Sequence, residues 1–168
     1  MYQVGELVVY RGEGVCRVDA VGLLNIPGVQ KDRLYYTLAP LYFGGKIYAP
    51  VDTCAIIRPT LTKKEAIELV RTIPSIQAIS CTDRNPRILN EFYSEKLCSY
   101  NCVSMVQVIK TAYSKRNNCQ GKGSKPSSID ERYMKRAEEL LYGELAAALE
   151  IPREDVLGYI AQVAENVS

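Results

Sequence analysis

The cysteines are the residues whose spacing comes nearest to that of a reactive or metal-binding site. There are six, at positions 16, 54, 81, 98, 102 and 119. Cys98 and Cys102 are four residues apart, a spacing that places two side chains on the same face when both lie on one helix. A tetrahedral zinc site needs four ligands, and the chain has neither a CxxC pair nor any histidine to supply them. We therefore expect no metal, and we interpret the cysteines as small, reduced, buried or partly buried thiols.

The absence of histidine also restricts the enzyme classes that this chain can belong to. It excludes Ser–His, Cys–His and histidine–metal chemistry. The sequence has no phosphate-binding loop, no GxGxxG and no HExxH motif, and no carboxylate pair lies in a recognisable context. We therefore expect a protein that is not an enzyme and that has no cofactor and no small-molecule substrate. An enzyme, or a redox sensor that forms a Cys98–Cys102 bond under oxidant, is kept as a rival hypothesis.

Charge is distributed unevenly along the second half of the chain. From Lys110 to Arg136 there are eight lysines or arginines against two acidic residues. From Ala137 to Ser168 there are seven acidic residues and only Arg153. A surface polarised in this way suits a phosphate backbone at its basic side. The alternative, a set of solvated helix faces around a loop, is equally compatible with the sequence.

Length and composition indicate an ordinary globular protein. The 168 residues suffice for one domain or two small ones, and 47% are apolar and 24% charged. No apolar stretch reaches the roughly 18 residues of a membrane span, and no basic-then-apolar segment opens the chain. We expect a cytoplasmic protein with no membrane partner.

Residues 1–58 carry the pattern of a small β-domain. Leu7 to Tyr10 is an apolar run, residues 11–14 contain two glycines, and Cys16, Val18 and Ala20 then alternate with polar residues. Alternation after a short glycine-bearing turn is typical of a β-hairpin. Further runs at 33–41, 46–51 and 54–58 bring the count to five short strands, which predicts a small antiparallel SH3-like or Tudor-like β-barrel.

Residues 62–168 have the pattern of an all-α helical bundle of about five helices. Thr62 with Glu65 and Ser128 with Glu131 are predicted capping boxes, and Asn85–Pro86 is a predicted helix start. The predicted helices cover about 63–73, 87–98, 102–115, 128–150 and 152–166, with a polar loop at 116–127. The whole chain is thus predicted to be α+β, with two domains at 1–58 and 62–168.

Several segments resemble the CarD/CdnL family of bacterial transcription regulators. In the barrel they are VGELVVYRGEGVCRVDAV, LYYTLAPLY and KIYAPVD. In the helical half they are EKL, the apolar helix near Val103 to Tyr113, and RAEELLYGELA. The N-terminal module also appears in the transcription-repair coupling factor; because no helicase motor follows in this sequence, we expect a protein other than the coupling factor. The resemblance implies an RNA polymerase-interacting domain at 1–58 and a DNA-contacting helical domain at 62–168.

The resemblance further implies which residues bind RNA polymerase. In the family the barrel docks on the lobe of the β subunit through the edge of its sheet. The matching positions here are Leu24, Ile26 and Tyr48. Adding a strand to a sheet edge is a physically simple way to bind, because main-chain hydrogen bonds supply the affinity. The family often has an arginine at such places, and this chain does not.

The helical domain of the family lies near promoter DNA, just upstream of the melted region, and stabilises the open complex. Many members insert a tryptophan into the minor groove there, and this chain has no tryptophan. Ile79 or Pro86 is the candidate for a smaller apolar wedge. The candidates for sequence-independent phosphate contacts are Arg84, Arg87, Lys122, Lys125, Arg132 and Arg136. The predicted function is thus a regulator that modulates open-complex stability, and the alternative is an adaptor on RNA polymerase without a DNA contact.

Overall fold

The computed structural model describes residues 1–53 and 57–167. It divides into two compact units, Met1–Leu61 and Thr62–Ser168, which we call the sheet unit and the helical unit. Over these described residues the sheet unit has five strands and the helical unit five α-helices, so the predicted α+β fold class is confirmed.

The five strands of the sheet unit are all antiparallel to their neighbours. They are β1 (Leu7–Tyr10), β2 (Gly14–Leu23), β3 (Leu34–Pro40), β4 (Ile47–Pro50) and β5 (Ile57–Pro59). The predicted hairpin is formed by β1 and β2, with Tyr10 opposite Gly14. Gly12 and Gly14 have φ angles of +80° and +81°, which only glycine adopts without strain. The glycine-bearing turn is therefore what fixes the register of the hairpin.

The sheet does not close into a barrel over the described residues. Its strand order is β4-β3-β2-β1-β5, with β4 and β5 at the two ends. The predicted SH3-like or Tudor-like barrel is thus corrected to an open sheet. Neither periodicity nor turn residues report whether the outer strands meet, because closure depends on twist and stagger. Of the predicted last strand, residues 54–56 lie outside the described part of the chain.

The core of the sheet unit forms around the face of the sheet that carries Val8, Cys16, Val18 and Leu38. These side chains are between 0% and 1% exposed. Burial, followed by the nearby Glu13 charge, raises the pKa of the Cys16 thiol to about 11 from its ordinary 9.0. The folded chain therefore keeps this thiol neutral at a pH where the unfolded chain ionises it.

We expect alkali to destabilise the sheet unit through Cys16. Because the folded pKa is raised, the contribution is fully present below pH 9.0 and is lost as the pH rises towards about 11. One such proton changes the free energy of unfolding by up to about 1.4 kcal/mol per pH unit. Urea unfolding followed by circular dichroism between pH 8 and 11 measures this slope. Cys16→Ala should show a shallower slope, and equal slopes in the two proteins would exclude the thiol as the cause.

The helical unit has five α-helices and two short 3₁₀ turns. The helices are α1 (Lys63–Thr72), α2 (Pro86–Cys98), α3 (Cys102–Gly121), α4 (Ser128–Leu149) and α5 (Val156–Val167), and the turns are Ile73–Ser75 and Arg153–Asp155. Two predicted helix starts are confirmed. Thr62 and Glu65 form the reciprocal capping box of α1, and the Asn85 side chain accepts a hydrogen bond from the Arg87 N–H ahead of Pro86.

Three boundaries differ from the prediction. The last helix was predicted to start at Pro152, but Arg153–Asp155 is a 3₁₀ turn and α5 starts at Val156. Helix α3 continues to Gly121, so that residues 116–121 are helical where a loop was predicted. Arg116 lies in this extra stretch, and its ion pair with Glu131 of α4, 2.7 Å long, holds the two helices together. The cap of α4 is Ser127 and not Ser128, because the Ser127 hydroxyl accepts the Ile129 N–H. Glu131 is then engaged by Arg116 and forms no capping box.

The described residues include no helix that combines the length and the apolar character needed to cross a membrane.

Candidate functional site

The outer strand β4 is the first candidate surface. It has one strand neighbour in the described sheet, β3, with Tyr48 opposite Thr37. Tyr48 is 41% exposed, while the next residue, Ala49, is fully buried in the core. Side chains alternate along a strand, so Ala49 anchors β4 and Tyr48 faces outward. A strand with this arrangement offers a sheet edge and an exposed aromatic side chain to a partner.

The other two predicted polymerase contacts lie in the connection between β2 and β3. Leu24 and Ile26 follow β2 directly and are half-buried. The exposed apolar pair Leu23 and Leu34 was not predicted; these two residues face each other across β2 and β3. Their exposed fractions are 63% and 45%. Their signal in the sequence was an apolar residue at each of the two strand ends that flank the 24–33 connection.

The helical unit contains a groove with a volume of about 510 Å³. Its walls come from the segment before α2, from one face of α3, from the loop after α3 and from the start of α4. We call it the basic groove; it is lined by Cys81, Thr82, Asp83, Arg84, Leu89, Lys115, Asn118, Cys119, Lys122, Ser124, Lys125, Ser127 and Asp130. Steps of three and four residues place Lys115, Asn118 and Cys119 on one face of α3, and Lys122 follows as the C-cap residue of this helix.

Hydrogen bonds to α3 hold the segment before the groove in place. The Ile79 N–H donates to the Thr111 hydroxyl at 2.9 Å, and that hydroxyl is 3.2 Å from the Ile79 carbonyl oxygen. The Lys110 ammonium donates to the carbonyl oxygens of Ile73 and Ile76, at 2.5 and 2.6 Å. Burial lowers the pKa of Lys110 from its ordinary value. Residues 81–84 are thereby positioned against α3.

A buried polar cluster lies beneath the groove. The fully buried Tyr93 donates its hydroxyl proton to the carboxylate of Asp130, and Lys115 binds the same oxygen at 3.2 Å. The Lys115 ammonium also lies 5.6 Å from the centre of the Tyr93 ring. Burial, and then the hydrogen bond to Asp130, raises the pKa of Tyr93. Because Asp130 neutralises Lys115, the accessible positive charge of the groove comes from other residues.

That charge comes from Arg84, Lys122 and Lys125, three of the predicted phosphate contacts. All three are exposed, and none forms an ion pair with the residues that the structure describes. The remaining acidic group on the groove wall is Asp83, which accepts the Asn85 N–H at 2.8 Å. Ser127, the cap of α4, adds the positive end of a 22-residue helix. The groove is therefore suited to an anion.

The other predicted DNA contacts do not line the groove. Arg87 pairs with Glu91 at 3.1 Å and Arg136 with Glu139 at 3.4 Å. Arg132 donates to the Asn90 side chain and lies 5.0 Å from the centre of the Tyr133 ring. Of the two proposed wedges, Pro86 is exposed at the first position of α2, and Ile79 is half-buried and tied to Thr111.

The cysteine pair singled out in the sequence is split between two helices. Cys98 ends α2 and is exposed, whereas Cys102 begins α3 and is buried, with its thiol 3.2 Å from the Glu144 carboxylate. Between them Tyr100 has a φ angle of +50°. Cys81 and Cys119, which are both partly exposed, instead line the basic groove. Among the described residues no group of three or more cysteine or acidic side chains is placed to hold a metal ion.

Comparison with known families identifies the sheet unit. Residues 2–61 match the CarD-like/TRCF RID domain, in which RID denotes the RNA polymerase-interacting domain. The match ends where the sheet unit ends and does not extend into the helical unit. No curated protein matches the chain. The matched domain supports a transcription-related role in which the chain interacts with RNA polymerase.

Proposed function

We propose that this chain, with an RNA polymerase-interacting domain at residues 2–61, is a non-enzymatic regulator of transcription initiation. The sheet unit binds the β subunit of RNA polymerase. The helical unit contacts promoter DNA near the upstream edge of the bubble and modulates the stability of the open complex. The observation that carries the proposal is the family match of the sheet unit.

The proposed mechanism is tethering. Binding to polymerase raises the local concentration of the helical unit at one place on the promoter, so that a weak DNA-binding surface suffices. Arg84, Lys122 and Lys125 supply that surface, because they are exposed cations without ion-pair partners among the described residues. Such contacts hold phosphates and do not read base sequence. Binding to free DNA is accordingly weak and strongly dependent on salt.

The proposed polymerase contact uses strand β4. An extended segment of the β subunit adds to this outer strand through main-chain hydrogen bonds, and the exposed Tyr48 ring packs against it. Buried aromatic side chains are common sources of affinity at protein interfaces.

We expect Tyr48→Glu to weaken binding of the full chain to the β-subunit lobe by about 2 kcal/mol or more, or about 30-fold in Kd, the effect of losing an interface anchor. The substitution removes the exposed ring and places a charge that must be desolvated at the interface. Because Tyr48 points away from the core, circular dichroism should show an unchanged fold. Isothermal titration calorimetry with purified lobe measures the loss.

Tyr113→Glu is the matched control, since Tyr113 is 54% exposed and lies in the helical unit. It should bind the lobe like the unmodified chain. Equal affinity of the two variants would move the contact away from β4, and no binding by the unmodified chain would remove the β-subunit assignment.

The second candidate function is a protein-interaction adaptor that binds polymerase and another protein, with no DNA contact. The observation that favours it is the exposed apolar side chains of the helical unit, among them Ile88, Val103 and Leu157, at 42%, 40% and 60%. Isolated apolar residues are common on protein surfaces, and the cationic lining of the groove favours the DNA contact.

A further inference from the structure

The basic groove is a concave site, and contact with a DNA duplex does not require one. A duplex presents its phosphates on a convex surface while its bases stay stacked inside, so a flat or gently curved cationic face suffices to bind it. The groove instead is a half-open concavity with a volume of about 510 Å³. That volume lies in the range of small-ligand pockets, roughly 300–1,000 Å³. The groove therefore has room for a chemical unit that enters it.

The lining of the groove is mixed. Arg84, Lys122 and Lys125 are exposed and form a cationic rim, while Leu89, 4% exposed, supplies an apolar contact in the interior. Asp83 and Asn118 add hydrogen-bond acceptors, and Asn118 also adds a donor. A phosphate only accepts hydrogen bonds and is repelled by a carboxylate. The amino and ring N–H groups of a base, by contrast, donate to such oxygens.

We propose that the basic groove binds one unstacked nucleotide of single-stranded DNA. The phosphate lies at the cationic rim, and the base enters between Leu89 and the polar groups of Asp83 and Asn118. This inference rests on the proposed DNA contact and narrows it, because melted promoter DNA supplies unpaired nucleotides and a closed duplex does not. It requires no recognition of a particular sequence, since every base has an apolar face and a polar edge.

Three thiols of the chain provide the test. Cys81 and Cys119 line the groove, and Cys98, which is exposed outside it, is an internal control. The full chain is labelled with N-ethylmaleimide at low salt, and the rate at each cysteine is measured by mass spectrometry. The probes are a 12-nucleotide single strand, the duplex of the same sequence, and free dCMP. Each probe is added at a saturating concentration, or at its highest soluble concentration where saturation is not reached. Saturation is measured by fluorescence anisotropy, directly for the two DNAs and by competition for dCMP.

We expect the single strand to slow labelling of Cys81 and Cys119 by about fivefold or more, as mass action predicts for a largely occupied site. Labelling of Cys98 should be unchanged. The duplex should leave all three labelling rates within about twofold of those without DNA. Free dCMP should protect less than the strand, because it lacks the neighbouring phosphates. In Lys122→Ser/Lys125→Ser the protection by the strand should be lost. Protection by the strand should persist in the control Lys63→Ser/Lys64→Ser. This variant loses the same two positive charges, at exposed positions outside the groove.

The remaining outcomes overturn the inference in distinguishable ways. Equal protection by the duplex would make the groove a duplex phosphate site and leave the proposed DNA contact standing. If the single strand binds but does not slow labelling of Cys81 and Cys119, the DNA contact lies elsewhere on the chain. Protection by dCMP as strong as that by the strand would make a free nucleotide the occupant. Binding of neither DNA would remove both the inference and the direct DNA contact.

Discussion

Replacing Arg84, Lys122 and Lys125 together with serine should weaken binding to DNA about 10- to 100-fold at low salt. It should also lower the salt dependence of binding by about 2 to 3 in log–log slope, since each lost phosphate contact removes somewhat less than one. The reason is that these three cations form no ion pair with other described residues and converge on one groove. Fluorescence anisotropy of a labelled promoter fragment with an unpaired bubble, between 50 and 200 mM salt, measures both quantities.

The matched control is the serine triple at Lys63, Lys64 and Lys135, which are exposed and lie outside the groove. It changes the net charge equally. If both triples weakened binding to the same extent, general charge and not the groove would carry the DNA contact. If the groove triple left the lifetime of polymerase–promoter complexes unchanged while still binding polymerase, the adaptor function would replace the one proposed.

The largest effect on stability is expected at Tyr93. Tyr93→Ala should lower the free energy of unfolding by about 3–5 kcal/mol, the usual cost of removing a large buried aromatic side chain. Tyr93 is fully buried, and its ring stacks on Tyr133 with 5.1 Å between ring centres. Its loss also deprives the buried Asp130 carboxylate of a hydrogen-bond donor. Urea unfolding followed by circular dichroism measures the change.

Two further variants separate packing from hydrogen bonding. Tyr93→Phe keeps the ring and removes the hydroxyl, so it should cost about 1–3 kcal/mol, the penalty of leaving a buried polar group short of a partner. Tyr113→Ala removes a ring that is 54% exposed and should change stability by less than about 0.5 kcal/mol. A loss at Tyr93→Phe as large as at Tyr93→Ala would show that the hydrogen bond, and not the ring, stabilises the unit.

Local patterns were sufficient to predict most of the elements. The glycine-bearing turn at Gly12 and Gly14 has a backbone conformation that only glycine adopts readily, and it marks the hairpin directly. The same holds for Thr62 with Glu65 and for Asn85 before Pro86, because each cap is a contact between residues at most three apart. Such contacts join residues that are close in the chain, so they can be predicted from the local sequence.

The groove involves residues that are far apart in the chain, and sequence patterns report it poorly. The prediction of a loop at 116–127 concealed the face of α3 that carries Lys115, Asn118 and Cys119. Arg132 and Arg136 carry the same charge as Lys122, yet they make contacts with Asn90 and Glu139. Only the packing of helices determines which cation is left available, and composition does not contain that information.

The position of two of the groove cations has a consequence for how this protein can evolve. Lys122 and Lys125 lie in the connection between α3 and α4, where side chains are exposed and make few contacts with the core. Substitutions in such connections usually cost little stability. Under the proposed DNA contact, single substitutions here raise or lower the residence time of the protein on promoters without compensating changes elsewhere. The strength of that contact and the stability of the fold therefore depend on different residues.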